Sequence, residues 1–388
     1  MIIISRNGDS LDYYSKLFQI PQVLVEEANR DIQGILQEGL YVNIPGFILQ
    51  KESRNDFVDL VTISKHYHLP LDALILVNQS NQGPFSVPVR IMGPLLNPVK
   101  FYDYQSLLDD LEALTVHYPF IKVESIGKSV LGKELLEVRI GQGEKVIHFN
   151  GSFHANEWIT SAILMKWLND LLLALSNDDR ICGIACLPFF QEVTISVVPM
   201  VNPDGVDLVL KGEEAAEGCV DVLEMNNGNP AFYAWKANIR GVDLNNQYPA
   251  KWEIEKQRKV PQEPAPRDFP GEVCLSEPEA IAMKELAEKR NFCRVLALHT
   301  QGKEFYWGYE GWEPKQSEEI AKEFEARSGY RAVQYVDSHA GYKDWFIQEF
   351  RKEAYTIELG KGINPLPLSQ FPSIYEESVH ILMAALYM

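Results

Sequence analysis

The sequence predicts an α/β protein: a layered sheet covered by helices, preceded by two small blocks that each run strand, helix, helix, strand. Two observations carry this expectation. From Lys100 onward, short apolar runs alternate with longer amphipathic stretches, and strands bounded on both sides by helices are buried on both faces. Before Lys100 one short layout occurs twice, so the chain divides into residues 1–47, 48–97 and 98–388.

In the first block a strand over Ile2–Ser5 runs into Asn7-Gly8-Asp9-Ser10. Asp9 or Ser10 can cap the following helix by accepting bonds from its free N–H groups. Pro21 opens a second short helix through Leu24, Ala28 and Asn29, and a closing strand ends at Ile44-Pro45-Gly46. Gly8-Asp9-Ser10-Leu11, Asn29 and Ile44-Pro45-Gly46 make the block resemble the LysM module, a βααβ unit. That resemblance implies binding of N-acetylglucosamine-containing glycan. The second block repeats the pattern loosely, with helices over Phe57–His66 and Pro70–Val77, Asn78 in the place of Asn29, and a strand Val87–Ile91. It lacks the glycine turn and the Pro-Gly ending, as a degenerate second LysM-like copy would. Two copies in tandem gain avidity on a polymer with repeated sites.

Pro94–Pro98 is a linker. Beyond it the strand candidates are Lys145–Asn150, Glu192–Val198, Arg294–His299 and Ala354–Glu358. The helix candidates are Tyr102–His117, Ile159–Leu175, Glu277–Lys289 and Gln316–Arg327. Ser276-Glu277-Pro278-Glu279 supplies a helix start: a cap, a proline in the first turn and acids beside it. Lys251–Gly271, rich in proline and charge, is expected to be a long surface loop.

Composition excludes some partners. With 36 Lys and Arg against 54 Asp and Glu the net charge is −18, which argues against nucleic acid, whose phosphates need clustered cations. The longest apolar stretch, Trp158–Leu175, is interrupted by Lys166, Asn169 and Asp170, as in a buried core helix and not a membrane span. Five cysteines (182, 186, 219, 274 and 293) are few and odd in number, and are expected to be buried thiols in a reducing compartment. No basic, apolar leader with a small-residue cleavage site opens the chain, so a cytoplasmic location is expected.

The chemistry concentrates at strand ends. Phe153-His154-Ala155-Asn156-Glu157-Trp158 leaves the run Val146–Asn150, and a His and a Glu three apart on such a turn can point at one centre. A bare His-x-x-Glu is common by chance and needs a third ligand. His299 ends the run Val295–His299, again where a buried strand meets a loop, the place where sites form in open α/β sheets. Imidazole and carboxylate donors suit Zn²⁺, which in catalytic sites keeps three protein ligands and an open position. Glu358 closes the run Ala354–Glu358; a carboxylate there is costly unless paired or used. Beside zinc it can accept a proton from water and return it to a leaving amine. Taken singly, His299 is read first as a hydrogen-bonded core histidine, and an ion-paired structural glutamate is the lesser alternative for Glu358.

Joined with Asn202-Pro203-Asp204-Gly205, Gly241-Val242-Asp243-Leu244-Asn245, Ser276–Glu279 and Asp344-Trp345, these stations resemble the zinc carboxypeptidase family from about Lys100 to Met388. The resemblance implies a mixed sheet covered by helices on both faces. It implies one Zn²⁺ per chain on His154, Glu157 and His299, with Glu358 as general base and acid. It implies an oxyanion-stabilising cation, for which Lys236 fits by register and Arg240 is the nearest arginine. It also implies a mobile substrate-binding tyrosine, for which Tyr335 lies one position off and Tyr342 falls inside the next turn. Where the family grips a terminal carboxylate with Asn-Arg, this chain has Asn245-Asn246. A neutral amide gives no bidentate charge-assisted clamp, so a substrate can continue past the cleaved bond.

With the LysM-like blocks, that departure resembles the bacterial γ-D-glutamyl-L-diamino acid endopeptidases. The implied substrate is a peptidoglycan or muropeptide stem peptide, cut between γ-D-Glu and diaminopimelate or lysine. An ordinary carboxypeptidase and a silent glycan binder are the alternatives. A cytoplasmic enzyme would meet wall material by recycling imported fragments, or at the wall or spore after release.

Overall fold

The structure, a computed structural model, describes residues 1–52, 59–78 and 84–388. It falls into two units. One holds Met1–Leu96, Leu111–Lys122 and Leu168–Pro188; the other holds Asn97–Asp110, Val123–Trp167 and Phe189–Met388.

The first unit contains two βααβ motifs. Ile2–Ile4 and Tyr41–Asn43 pair antiparallel, Ile3 opposite Val42, around helices Leu11–Phe18 and Gln22–Glu27. Of the two candidate caps, Ser10 accepts from Tyr13 N at 3.1 Å. Phe47–Lys51 and Ser86–Arg90 likewise pair antiparallel around Leu60–Tyr67 and Leu71–Val77. The expected start of that first helix at Phe57 lies outside the described residues. Asn29 and Asn78 do the same work in the two motifs. Asn29 Nδ2 donates to the Val25 and Asn43 carbonyls, and its Oδ1 accepts from Asn43 N. Asn78 Nδ2 donates to the Leu74 and Ser86 carbonyls, and its Oδ1 accepts from Ser86 N. Each amide satisfies an orphan carbonyl at a helix end and ties that end to the closing strand. Arg6 links the motifs, 2.9 Å from Asp9 and 2.6 Å from Asp72.

The second unit is built on an eight-stranded mixed sheet. At its centre Val193–Val198, Lys145–Asn150, Arg294–Thr300 and Glu353–Leu359 run parallel as neighbours in that order. All seven residues of Arg294–Thr300 are buried, as strands covered on both faces must be. Glu134–Ile140 and Glu304–Tyr306 add antiparallel neighbours on either side, and Lys122–Lys128 and Arg331–Val333 form the edges. Because these four central strands are parallel, their C-terminal ends meet at one edge of the sheet. A core cluster of this unit includes Phe153, Tyr248, Met283, Val295, Tyr342, Trp345 and Ala354.

Three expectations need correction. Lys251–Gly271 is not all loop: Trp252–Arg258 is helical. Trp252 is buried, and so is Glu255, which accepts from His339 N; one indole with somewhere to pack orders a stretch that composition assigns to loop. The helix after Ser276 begins at Pro278 with Glu277 in the capping position, and Ser276 donates to Glu277 instead of capping. Of the five cysteines, Cys186 is buried while Cys182 and Cys219 are exposed. The apolar helix Ile159–Ser176 is buried along most of its length, as expected of a core helix.

Candidate metal centre

The site is assembled by the ends of the parallel strands. After Asn150 the chain turns sharply at Gly151, where a Cβ would meet Thr160 Oγ1 at 3.0 Å and the Pro199 carbonyl at 3.1 Å. The ligand turn is then pinned: Ala155 N donates to the Lys236 carbonyl at 3.0 Å. Asn202, fully buried, donates to the Phe153 and Ala237 carbonyls at 3.2 and 3.0 Å. The Asn-Pro-Asp-Gly motif therefore holds the His154 turn against the Lys236 segment. His299 and Glu358 are direct partners on adjacent strands.

This brings His154, Glu157 and His299 together. His154 Nδ1 lies 3.0 Å from Glu157 Oε1, and His299 Nδ1 lies 3.0 Å from Glu157 Oε2 and 3.1 Å from His154 Nδ1. All three residues are buried, and one ligand atom from each falls within 4.8 Å of the others. The His299 Nε2 atom is buried with no hydrogen-bond partner among the described residues. Two imidazoles and one carboxylate on a shared centre fit zinc better than the all-oxygen sets that hard cations take. Behind them, Asp243 Oδ1 sits 3.4 Å from His154 Nε2, the kind of support that orients a ligating imidazole. Asn364 Nδ2 donates to Glu157 Oε1 at 3.2 Å, and Thr300 Oγ1 fixes Asn364 at 2.7 Å.

A cavity of about 280 Å³ is lined by His154 and Glu157 of the triad together with Glu358, Lys236, Arg267 and Asn364. Burial alone would push Glu157 up, but charge and hydrogen bonds from His154 and His299 hold it at about 2. Burial, with the charge of Glu157, pushes Glu358 up to about 8. A dication on the triad would draw Glu358 back toward its carboxylate form. Burial opposes the charge on Lys236, but Asp243 at 2.9 Å and Asp268 at 3.4 Å outweigh it and keep the ammonium charged.

The alternatives left open by the sequence are placed differently. Arg240 is half-exposed, 3.7 Å from Glu277, and does not line the cavity. Asn245 Oδ1 accepts from Tyr342 N at 3.0 Å, and Asn246 is buried with its N–H on the Asp243 carbonyl; neither lines the cavity. The structure does not bring either tyrosine there. Tyr342 is fully buried, its ring centroid 5.1 Å from that of Tyr248 and 5.5 Å from that of Phe153. Tyr335 is on the surface, donating to Glu313 at 2.8 Å. Sequence reasoning missed Asp243 as a partner of His154 and Lys236. Its signal was present, an acid inside the apolar Gly-Val-Asp-Leu motif.

The zinc carboxypeptidase family model matches residues 107–380. The chain belongs to the zinc carboxypeptidase family. It is thus a zinc metallopeptidase, and the buried His-Glu-His cluster is a zinc site of that family's kind. Over 397 aligned residues, spanning all of both chains, it is 46% identical to γ-D-glutamyl-L-diamino acid endopeptidase 1 of Lysinibacillus sphaericus. It is 41% identical to the Bacillus subtilis protein YqgT, with 98% of this chain and 96% of that one covered. Bovine thrombin-activatable fibrinolysis inhibitor has a similar fold, with a TM-score of 0.59 at 17% identity over 74% of this chain and 97% of that one.

Proposed function

We propose that this zinc carboxypeptidase-family enzyme hydrolyses the amide between γ-D-glutamate and the following L-diamino acid, diaminopimelate or lysine, in peptidoglycan stem peptides. The observation that carries the reading is the 46% identity, over the full length of both chains, to an endopeptidase of that specificity. Asn246, where the family's carboxylate clamp would put arginine, supports it. His154, Glu157 and His299 would hold the zinc, which when bound would supply Lewis acidity toward the scissile carbonyl and a lowered pKa for water. Glu358 takes the proton of the attacking water; a C–O bond forms at the carbonyl, the C–N bond breaks, and Glu358 returns the proton to the departing amine. The Lys236 ammonium, held by Asp243, faces the negative charge that grows on the carbonyl oxygen.

The two βααβ motifs, with their matching asparagines, support a LysM-like role in which they hold the glycan strand. A cavity of about 380 Å³ on the first motif, lined by Asp12, Gln22, Glu26, Arg30 and Gln33 among others, is the surface we assign to it. Mass spectrometry of L-Ala-γ-D-Glu-meso-diaminopimelate incubated with the protein tests the bond. Release of L-Ala-D-Glu, abolished by a zinc chelator, is expected. Glu358→Gln should lower turnover by about 10²–10⁴-fold while zinc stays bound. An intact tripeptide alongside cleavage of ordinary C-terminal residues would replace this reading with plain carboxypeptidase activity.

A further inference from the structure

We infer that Arg267 is a specificity residue of this site, gripping the free α-carboxylate of a γ-linked glutamyl substrate; the inference rests on the proposed bond specificity. Among the lining residues the arginine and lysine charges are Lys236 and Arg267. Lys236 is half-buried and committed to Asp243 and Asp268. Arg267 is different. Its side chain is 61% exposed, and its described partner is Asp268, reached through Nε at 2.8 Å. Its terminal nitrogens keep the paired donors that match a carboxylate.

The backbone that carries this guanidinium is held in place. On one side the Pro266 carbonyl accepts from Lys236 N at 2.8 Å and Ala237 N at 2.9 Å. On the other, the carbonyl of Phe269, itself buried, accepts from Asp243 N at 2.7 Å. Arg267-Asp268 is therefore bracketed by bonds to the segment that carries Lys236 and Asp243.

The chemistry of the substrate supplies the matching group. A γ-glutamyl amide uses the side-chain carboxyl, so the α-carboxylate stays free, four C–C bonds or about 5 Å from the scissile carbon. An ordinary α-linked peptide has no anion there, and an isoglutaminyl peptide carries a neutral amide instead. Although the Arg267 side chain is exposed, a bidentate, charge-assisted guanidinium–carboxylate pair is expected to favour the acid about tenfold.

The test compares kcat/KM of the zinc-loaded enzyme on L-Ala-γ-D-Glu-diaminopimelate and on its isoglutaminyl counterpart. Wild type should prefer the acid about tenfold, mainly through KM. Arg267→Gln should bring the ratio to within about twofold, and Arg267→Lys should keep part of it. Calorimetric titration with L-Ala-D-Glu and L-Ala-D-isoglutamine should show the same loss of preference in Arg267→Gln, without turnover. If wild type cuts both peptides equally well, or Arg267→Gln keeps the wild-type ratio, the assignment of Arg267 is wrong while the bond specificity stands. If neither peptide is cut by zinc-loaded wild type, the bond specificity falls and this inference with it.

Discussion

Lys236 and Arg240 lie four residues apart, and only Lys236 presents its charge to the cavity with the metal triad. The Lys236 side chain is 20% exposed and ion-paired at 2.9 Å with Asp243, which also approaches His154. Arg240 is 51% exposed and pairs loosely with Glu277. Charge acts on a transition state where water is excluded, so Lys236→Met should cost about 10²–10³ in kcat, as loss of one oxyanion donor does. Arg240→Ala should stay within about threefold, as exposed pairs contribute little. Steady-state kinetics, with zinc content measured for each variant, decide between them. A larger loss at Arg240 would move the role there. His154, Glu157, His299 and Glu358 were legible only as a set, because the turn after Val146–Asn150 and the ends of two later apolar runs line up with the Asn202–Gly205 and Gly241–Asn245 motifs in one family pattern. Tyr342 and Tyr335 were not, because linear register says nothing about burial: one is locked in the core, the other paired to Glu313 on the surface.

Among the elements, the helix Pro278–Arg290 shows burial overriding the helix field. Glu279 stands in its first turn, where the helix dipole favours a negative charge. It accepts from Val130 N at 3.1 Å and from Asn238 Nδ2 at 3.3 Å. Burial nevertheless pushes its carboxyl up to about 7, helped by nearby Asp204 and Glu277. The folded protein therefore holds a proton there that the unfolded chain gives up nearer its ordinary value, so this group's contribution to stability is present at acid pH. It should be lost as pH rises through about 7, by about 1–3 kcal/mol. Urea unfolding of the zinc-loaded protein between pH 5 and pH 8 measures it, and Glu279→Gln should flatten the slope; equal slopes would refute it. The central strands were legible as unbroken apolar runs. Glu304–Tyr306 and Arg331–Val333, three residues each, carry too few residues to show a period. Their place in the sheet comes from pairing with distant partners.

At the scale of the molecule, two kinds of recognition are proposed for one chain: peptide chemistry in the zinc cavity, and glycan holding on the βααβ motifs. The repeated asparagine clamp was legible because Asn29 and Asn78 hold the same place in two similar blocks. The Arg6–Asp72 link between the motifs was not, since 66 residues separate its partners. If holding and cutting are distinct, damage to the first motif should weaken one more than the other. Gln22 and Gln33 line the cavity assigned to glycan, and each hydrogen bond lost there costs about 0.5–1.5 kcal/mol. Gln22→Ala combined with Gln33→Ala should therefore weaken binding of an N-acetylglucosamine oligomer by about 5–100-fold. Cleavage of insoluble wall should fall with it, because tethering raises the local concentration of stem peptides. The loss on wall should exceed the loss on free tripeptide several-fold, measured by diamino acid released from each under matched conditions. Equal losses on the two substrates would show that the motifs serve the catalytic unit's stability and do not hold glycan.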